Sequence, residues 1–199
     1  MMTNKLNTFA RVRELEGWKA VAFSAALLER MVPNYELFCS ANEIEERDLL
    51  RKCLDLVWES LLSPKSKINF SLQLEKVEAA TPDIADHDSF GVYPAIDAAI
   101  GVAACLNLIL KQDLQGAVVI SKLSQGSVEN YLLAMGEARD ETVRAHPLME
   151  FEIEVQGQLL AYLSAATHQK DACRHVKQLA LEEGISNLGI VIDDEAADS

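Results

Sequence analysis

Apolar residues recur at three- and four-residue intervals along most of the chain, and no run alternates apolar with polar long enough to make a strand. The pattern therefore predicts an all-α fold. A short N-terminal helix precedes Gly17, and residues 18–31 form a second. Pro33 is expected to break the chain and start a third short helix, 34–40. Asn42 with Glu45 three residues later has the spacing of a capping box, opening a helix over 43–62 that Ser63-Pro64 ends. Asn69 can cap a helix running to Ala80, which Thr81-Pro82-Asp83 terminates. Helices over 92–111 and 114–137 follow, the second weakened by Gly126. Pro147 starts a last helix that runs to Glu183 and stops at Gly184. At 1.5 Å per residue it would span roughly 55 Å, enough to brace a whole bundle. Beyond it, Ile185-Ser-Asn-Leu-Gly-Ile-Val-Ile is β-prone and is expected to lie as an extended strap. The acidic residues 193–199 are expected to be a disordered tail. The expectation is a compact multi-helix bundle of about seven helices with one long C-terminal helix, a single domain over residues 1–192.

Composition adds a core and a charge. Hydrophobic residues make up 49% of the 199, enough for a large interior without disulfide or metal staples. The 31 acidic residues against 18 basic ones give a formal net charge of −13. Phosphate recognition needs clustered Lys and Arg, and no basic run occurs, so nucleic acid is not an expected partner. The same charge repels anionic membrane surfaces. Residues 92–110 are apolar enough to suggest a span, but they contain Pro94, Asp97 and Asn107, and a mid-bilayer Asp costs about 2.5–3.5 kcal/mol. They read as the central helix of a soluble core. Cys39, Cys53, Cys105 and Cys173 are far apart with no Cys-x-x-Cys pair, and read as small buried hydrophobes in a reducing cytoplasm. The opening Met-Met-Thr-Asn-Lys lacks the apolar stretch of a secretory leader.

Candidate chemistry is sparse. His168, Asp171 and His175 fall within about 60° on the last helix and could supply three metal ligands. The apolar stripe of that helix lies nearly opposite, so they read as a solvated polar face. His87-Asp88 has the form of a metal-binding doublet, but His87 is the first histidine of the chain, and turn chemistry explains it more simply. None of the four histidines has Glu three residues before it, which removes the helical di-iron pattern. Gly-x-Ser-x-Gly, Walker and Gly-x-Gly-x-x-Gly motifs are absent, and nothing in the sequence calls for a cofactor.

Two carboxylate groupings stand out. Across the helix from the buried face of Leu50, Leu54, Val57 and Leu61, the residues Asp48, Asp55 and Glu59 share a narrow arc, with Arg51 and Lys52 near enough to pair. A charged solvated face is the simpler reading, and a cation-holding or acid–base cleft the other. Asp97 lies in a helix with no polar face, on the side of Tyr93, Gly101, Ala104 and Leu108. A buried carboxylate needs a partner or must give up its charge. Structurally it would pair with an Arg or Lys of a neighbouring helix; functionally, the room left by Gly101 and Ala104 would let Tyr93 and Asp97 meet a ligand.

Several blocks resemble a known family: Glu29-Arg30-Met31-Val32-Pro33-Asn34-Tyr35, Leu54-Asp55-Leu56-Val57-Trp58-Glu59, Asn69-Phe70 with Gln73-Leu74-Glu75, Gly91-Val92-Tyr93-Pro94-Ala95-Ile96-Asp97-Ala98, and Ser186-Asn187-Leu188-Gly189-Ile190. Together they resemble the YjaG-like family of uncharacterised bacterial proteins over nearly the whole chain. The resemblance implies a compact helical protein of bacterial cytoplasm and supplies no catalytic residues. It directs attention to Asn34, Tyr35, Asp55, Trp58, Glu59, Gln73, Glu75, Tyr93 and Asp97 as candidate ligand-binding residues, and leaves His168, Asp171 and His175 outside every block. The leading functional expectation is a non-catalytic module that binds a protein partner or itself. The alternative is a small-ligand binder or enzyme using Asp97, Tyr93, Asp55 and Glu59 in a carboxylate-lined cleft.

Overall fold

The computed structural model describes residues 8–192, so the expected 193–199 tail lies outside the described residues. Eight α-helices occur among them: α1 Thr8–Arg13, α2 Trp18–Ala41, α3 Leu49–Leu62, α4 Phe70–Ala80, α5 Val92–Ile109, α6 Gly116–Ala134, α7 Pro147–Ala165 and α8 Gln169–Leu181. The fold is a helical bundle with α2 as its axle, packed against α3, α5, α6, α7 and α8. Sequence explains that position: α2 is apolar almost all round, with Phe23, Leu27, Leu28, Met31 and Val32 fully buried, as a helix surrounded on every side must be.

The second and third expected helices are in fact one. Pro33 sits inside α2, which continues unbroken to Ala41. A mid-helix proline costs about 3 kcal/mol, and the burial of most of α2 between Ala20 and Cys39 offsets it. Asn42 does not open α3. It ends α2, its side-chain amide donating to the Phe38 carbonyl at 2.8 Å, while Glu43 turns left-handed at φ 55° and the Ile44 N–H returns to the Cys39 carbonyl. Asn caps both helix ends, which is why the spacing misleads. Asn69 behaves as expected, accepting from the Leu72 N–H.

The long C-terminal helix is also corrected. It breaks at residues 166–168, where Ala166 and His168 are extended, and α8 folds back against α2 and α3. The break buries Ala172, Cys173, Val176 and Ala180, a face that a straight rod would carry away from the bundle. Gly184, at φ 62°, ends α8 as the sequence predicts. The strap follows, with an antiparallel bridge between Ile185 and Val191.

Among the described residues, α5 is a helix long and apolar enough to cross a membrane by length and composition, and 56% of it is buried within the chain. Its glycine is used for packing: a Cβ on Gly101 would stand 2.8 Å from the Leu28 side chain of α2. The N-terminus of α6 meets α5 closer still, since a Cβ on Gly116 would come within 2.6 Å of the Ala104 carbonyl oxygen.

Candidate functional site

The polar chemistry of the interior starts at two adjacent residues of α2. Successive helical positions diverge by about 100°, so Glu29 and Arg30 enter different layers. Glu29 is 2% exposed and accepts from the Trp58 indole at 2.8 Å and the Arg51 guanidinium at 2.9 Å, with the Lys177 ammonium at 3.9 Å. Arg51 also reaches Asp55 at 3.4 Å and Glu36 at 3.7 Å. Burial alone would depress the Arg51 guanidinium, but Glu29, Asp55 and Glu36 outweigh it and push it up. Burial raises the Glu36 carboxyl despite Arg51 beside it.

Arg30 points into the other layer. It pairs with Glu152 of α7 at 3.0 Å, at side-chain exposures of 2% and 0%. The second Glu152 oxygen accepts from the Ser124 hydroxyl at 2.5 Å and the Gln156 amide at 2.9 Å. Gln156 in turn accepts from Ser121 and Gln125. Asn187 of the strap donates to Ser124, takes a hydrogen bond from the Asn34 amide at 2.8 Å, and donates its backbone N–H to the Arg30 carbonyl. The Arg30 guanidinium also lies 5.1 Å from the centre of the Phe151 ring. Among the described residues, Arg30 Nε and Asn34 Oδ1 are buried without a partner.

The sequence-selected residues do not form one site. Asp55 and Trp58 meet in the Glu29 layer, and Asn34 belongs to the Arg30 layer. Tyr35 is buried and donates to the Ala80 carbonyl at 3.4 Å. Glu59 and Glu75 are exposed and Gln73 is half-buried. No Arg or Lys among the described residues pairs with Asp97: the Ser127 hydroxyl of α6 donates to its Oδ2 at 2.5 Å. Burial raises its carboxyl above the ordinary range, with the Ser127 hydrogen bond opposing. The room expected at Gly101 is filled by Leu28, and Tyr93 turns out to solvent beside Phe90. Instead Asp97 borders a groove of 280 Å³ on the outer side of α5 and α6, with Val119, Lys122, Leu123, Gly126 and Asn130.

The histidine face forms no metal site among the described residues. His168 precedes α8, Asp171 pairs with Arg174 at 3.5 Å, and His175 stacks on the Tyr162 ring at 4.0 Å. Among the described residues, no three His, Cys, Asp or Glu side chains are grouped to hold a metal ion. His87 packs edge-on against Phe38. All four thiols are free and buried, and burial pushes Cys53 up to about 12 and Cys173 to about 11, far from a reactive thiolate.

Sequence reasoning missed Glu29, Arg30, Glu152 and Gln156, although the signal was present. Glu29-Arg30 interrupts an apolar run, and Glu152 and Gln156 share a helical line with Val155 and Leu159. The logic that singled out Asp97 applies equally to them.

The model of the DUF416 family, described as "Protein of unknown function", matches residues 7–191. The chain belongs to this family. An uncharacterised protein of Haemophilus influenzae is 39% identical over 186 residues, covering 90% of this chain and 94% of that one. The uncharacterised protein YjaG of Escherichia coli is 35% identical over 185 residues, covering 91% and 94%. The crystal structure of a DUF416 family protein from Shewanella baltica matches with a TM-score of 0.85 at 35% identity, over 92% of this chain and 97% of that one. The family is thus bacterial in these relatives, helical, and without an assigned activity.

Proposed function

We propose that the chain is a non-catalytic helical module that pairs with a second copy of itself across the outer face of α5 and α6. One observation carries this reading. An apolar face of α5 is left uncovered, with Tyr93 45% and Ile100 42% exposed and Ile96, Ala103 and Ala104 half-buried beside the Gly126 groove.

Gly126 supports it. A mid-helix glycine costs about 0.5–1 kcal/mol relative to alanine, yet a Cβ there would meet nothing within 4 Å. No contact among the described residues requires it, whereas a neighbour approaching closely from outside would. Charge points to self-association. With a net charge of −13, much of the surface repels a second copy. This groove carries one anion, Asp97, and one cation, Lys122. A two-fold pairing presents the same patch from both sides, so each Asp97 can face the partner's Lys122. The buried ions of the interior, by contrast, already have partners within the chain.

Sedimentation equilibrium tests the proposal. The unaltered chain should sediment as a dimer at micromolar concentration, and Ile100→Glu and Lys122→Glu should each shift it to monomer without lowering the monomer's melting temperature. Leu37→Glu, on the exposed side of α2, should leave the dimer intact. A monomer throughout, or a dimer indifferent to the α5–α6 variants, overturns the reading; retention of a different protein on that face would also do so.

A further inference from the structure

A second cavity, of 490 Å³, lies where the end of α6, the start of α7 and the strap converge. It falls within the range of about 300–1,000 Å³ typical of small-molecule sites. Tyr131 and Phe151 supply aromatic walls, and Leu148 and Leu188 supply apolar ones. Its ionisable lining consists of Glu137, Glu183, His146 and Tyr131, with no Lys or Arg among the residues that line it.

The imidazole is held in place. His146 Nδ1 accepts the Leu148 N–H at 3.2 Å and so caps α7. In the neutral ring that hydrogen bond assigns the proton to Nε2, which faces the Glu137 carboxylate at 3.8 Å. Glu137, otherwise on a loop, thereby has a fixed neighbour at the cavity edge. The Arg30 guanidinium over the Phe151 ring is paired with Glu152, so its charge is compensated within the interior. Aromatic faces with carboxylates beside them attract an organic cation, through the ring quadrupoles and direct charge pairing. They disfavour an anion of the same shape. The net charge of −13 adds to that preference.

We propose that this cavity binds a small organic cation, an amine on an apolar or aromatic body, with the ammonium at Glu137 and Glu183 and the body between Tyr131 and Phe151. The cavity shares no lining residue with the groove between α5 and α6, although the Phe90 ring lies between Tyr93 of the pairing face and Tyr131 of the cavity wall.

The test uses the full chain, amide chemical-shift titration, and two probes of similar size and opposite charge, phenethylamine and phenylacetate. Phenethylamine should shift signals around Tyr131, His146 and Phe151, saturating at or below about 10 mM, while phenylacetate should not. Glu137→Gln and Glu183→Gln keep side-chain shape at exposed positions, and each should weaken amine binding roughly tenfold, as loss of a charge-assisted contact does. Asp113→Asn, an exposed carboxylate outside the cavity, should leave it unchanged. The proposal is overturned if phenylacetate binds equally well, if phenethylamine produces no local shifts, or if Asp113→Asn weakens binding as much as the glutamate variants.

Discussion

Removing Glu152 should cost more stability than removing Arg30, although the two form one ion pair. Both are buried, at side-chain exposures of 0% and 2%. Glu152→Leu leaves a guanidinium in the interior that cannot give up its proton, with only the Phe151 face beside it and its Nε already unpartnered. It also strips an acceptor from Ser124 and Gln156. Breaking a buried pair in this way costs about 3–5 kcal/mol, against a total stability of about 5–15 kcal/mol. For a chain of this size, about 2–4 °C per kcal/mol puts the fall in melting temperature at about 6–20 °C. Arg30→Met should cost less, because Glu152 keeps its Ser124 and Gln156 donors. The double variant Arg30→Met/Glu152→Leu should be more stable than Glu152→Leu alone, since no unpaired ion is left in that layer. Melts followed by circular dichroism in all four proteins measure this. A Glu152→Leu melt within about 2 °C of the unaltered chain would refute the reasoning. So would a double variant whose loss equals the sum of the single losses.

Asp97→Asn, measured in the Ile100→Glu background so that pairing does not contribute, should be neutral or stabilising at pH 7, within about 1 kcal/mol, because Ser127 can donate to an amide oxygen as well. The Asp97 carboxyl is raised by burial, so its contribution is fully present below about pH 4 and is lost as pH rises through the folded value. Urea melts should therefore show the aspartate form gaining on the asparagine form as pH falls, and the opposite trend counts against a raised carboxyl. In the same Ile100→Glu background, Gly126→Ala and Gly157→Ala should each stabilise by up to about 1 kcal/mol, whereas Gly116→Ala, whose Cβ would strike the Ala104 carbonyl, should destabilise by about 1–3 kcal/mol. An aromatic disulfide reagent should titrate none of the four thiols of the native chain promptly and all four in denaturant. Rapid native labelling of Cys53 or Cys105 would contradict their burial.

Much of the helical plan is legible in the sequence because periodicity and caps act locally. The Asn69 cap, the Gly184 stop and the buried faces of α2 and α3 all follow from near neighbours. Three boundaries are not legible: at Pro33 and at residues 166–168 tertiary packing outweighs a local preference, and at Asn42 the local signal fits either end of a helix. Pro33 stays helical because α2 is enclosed by five helices, and Asn42 closes a helix because Glu43 can turn left-handed. Residues 166–168 break without glycine or proline because α8 gains a buried face by folding back. The candidate site is less legible still. Asp55 and Trp58 do converge, Trp58 on Glu29 and Asp55 on the Arg51 that pairs with it, a contact between α2 and α3 that periodicity cannot place. His146 and Glu137 come together only through the turn preceding α7, and no spacing rule relates them.

The adjacency of Glu29 and Arg30 constrains the bundle in a way apolar packing cannot. An apolar stripe can slide along its neighbour and still bury similar area, whereas displacing α7 along α2 would separate Arg30 from Glu152 and leave two ions alone in the interior, at several kcal/mol. Glu29 fixes α3 and α8 by the same means, through Arg51, Trp58 and Lys177. Two neighbouring residues of one helix therefore set the register of both halves, and Asn187 ties the strap to the same point through the Arg30 carbonyl. The variant Arg30→Met/Glu152→Leu separates register from stability. Where charge sets the register, its side-chain NMR signals should broaden or multiply even if the melt recovers. A single sharp set of signals would show that apolar shape alone holds α7 in place.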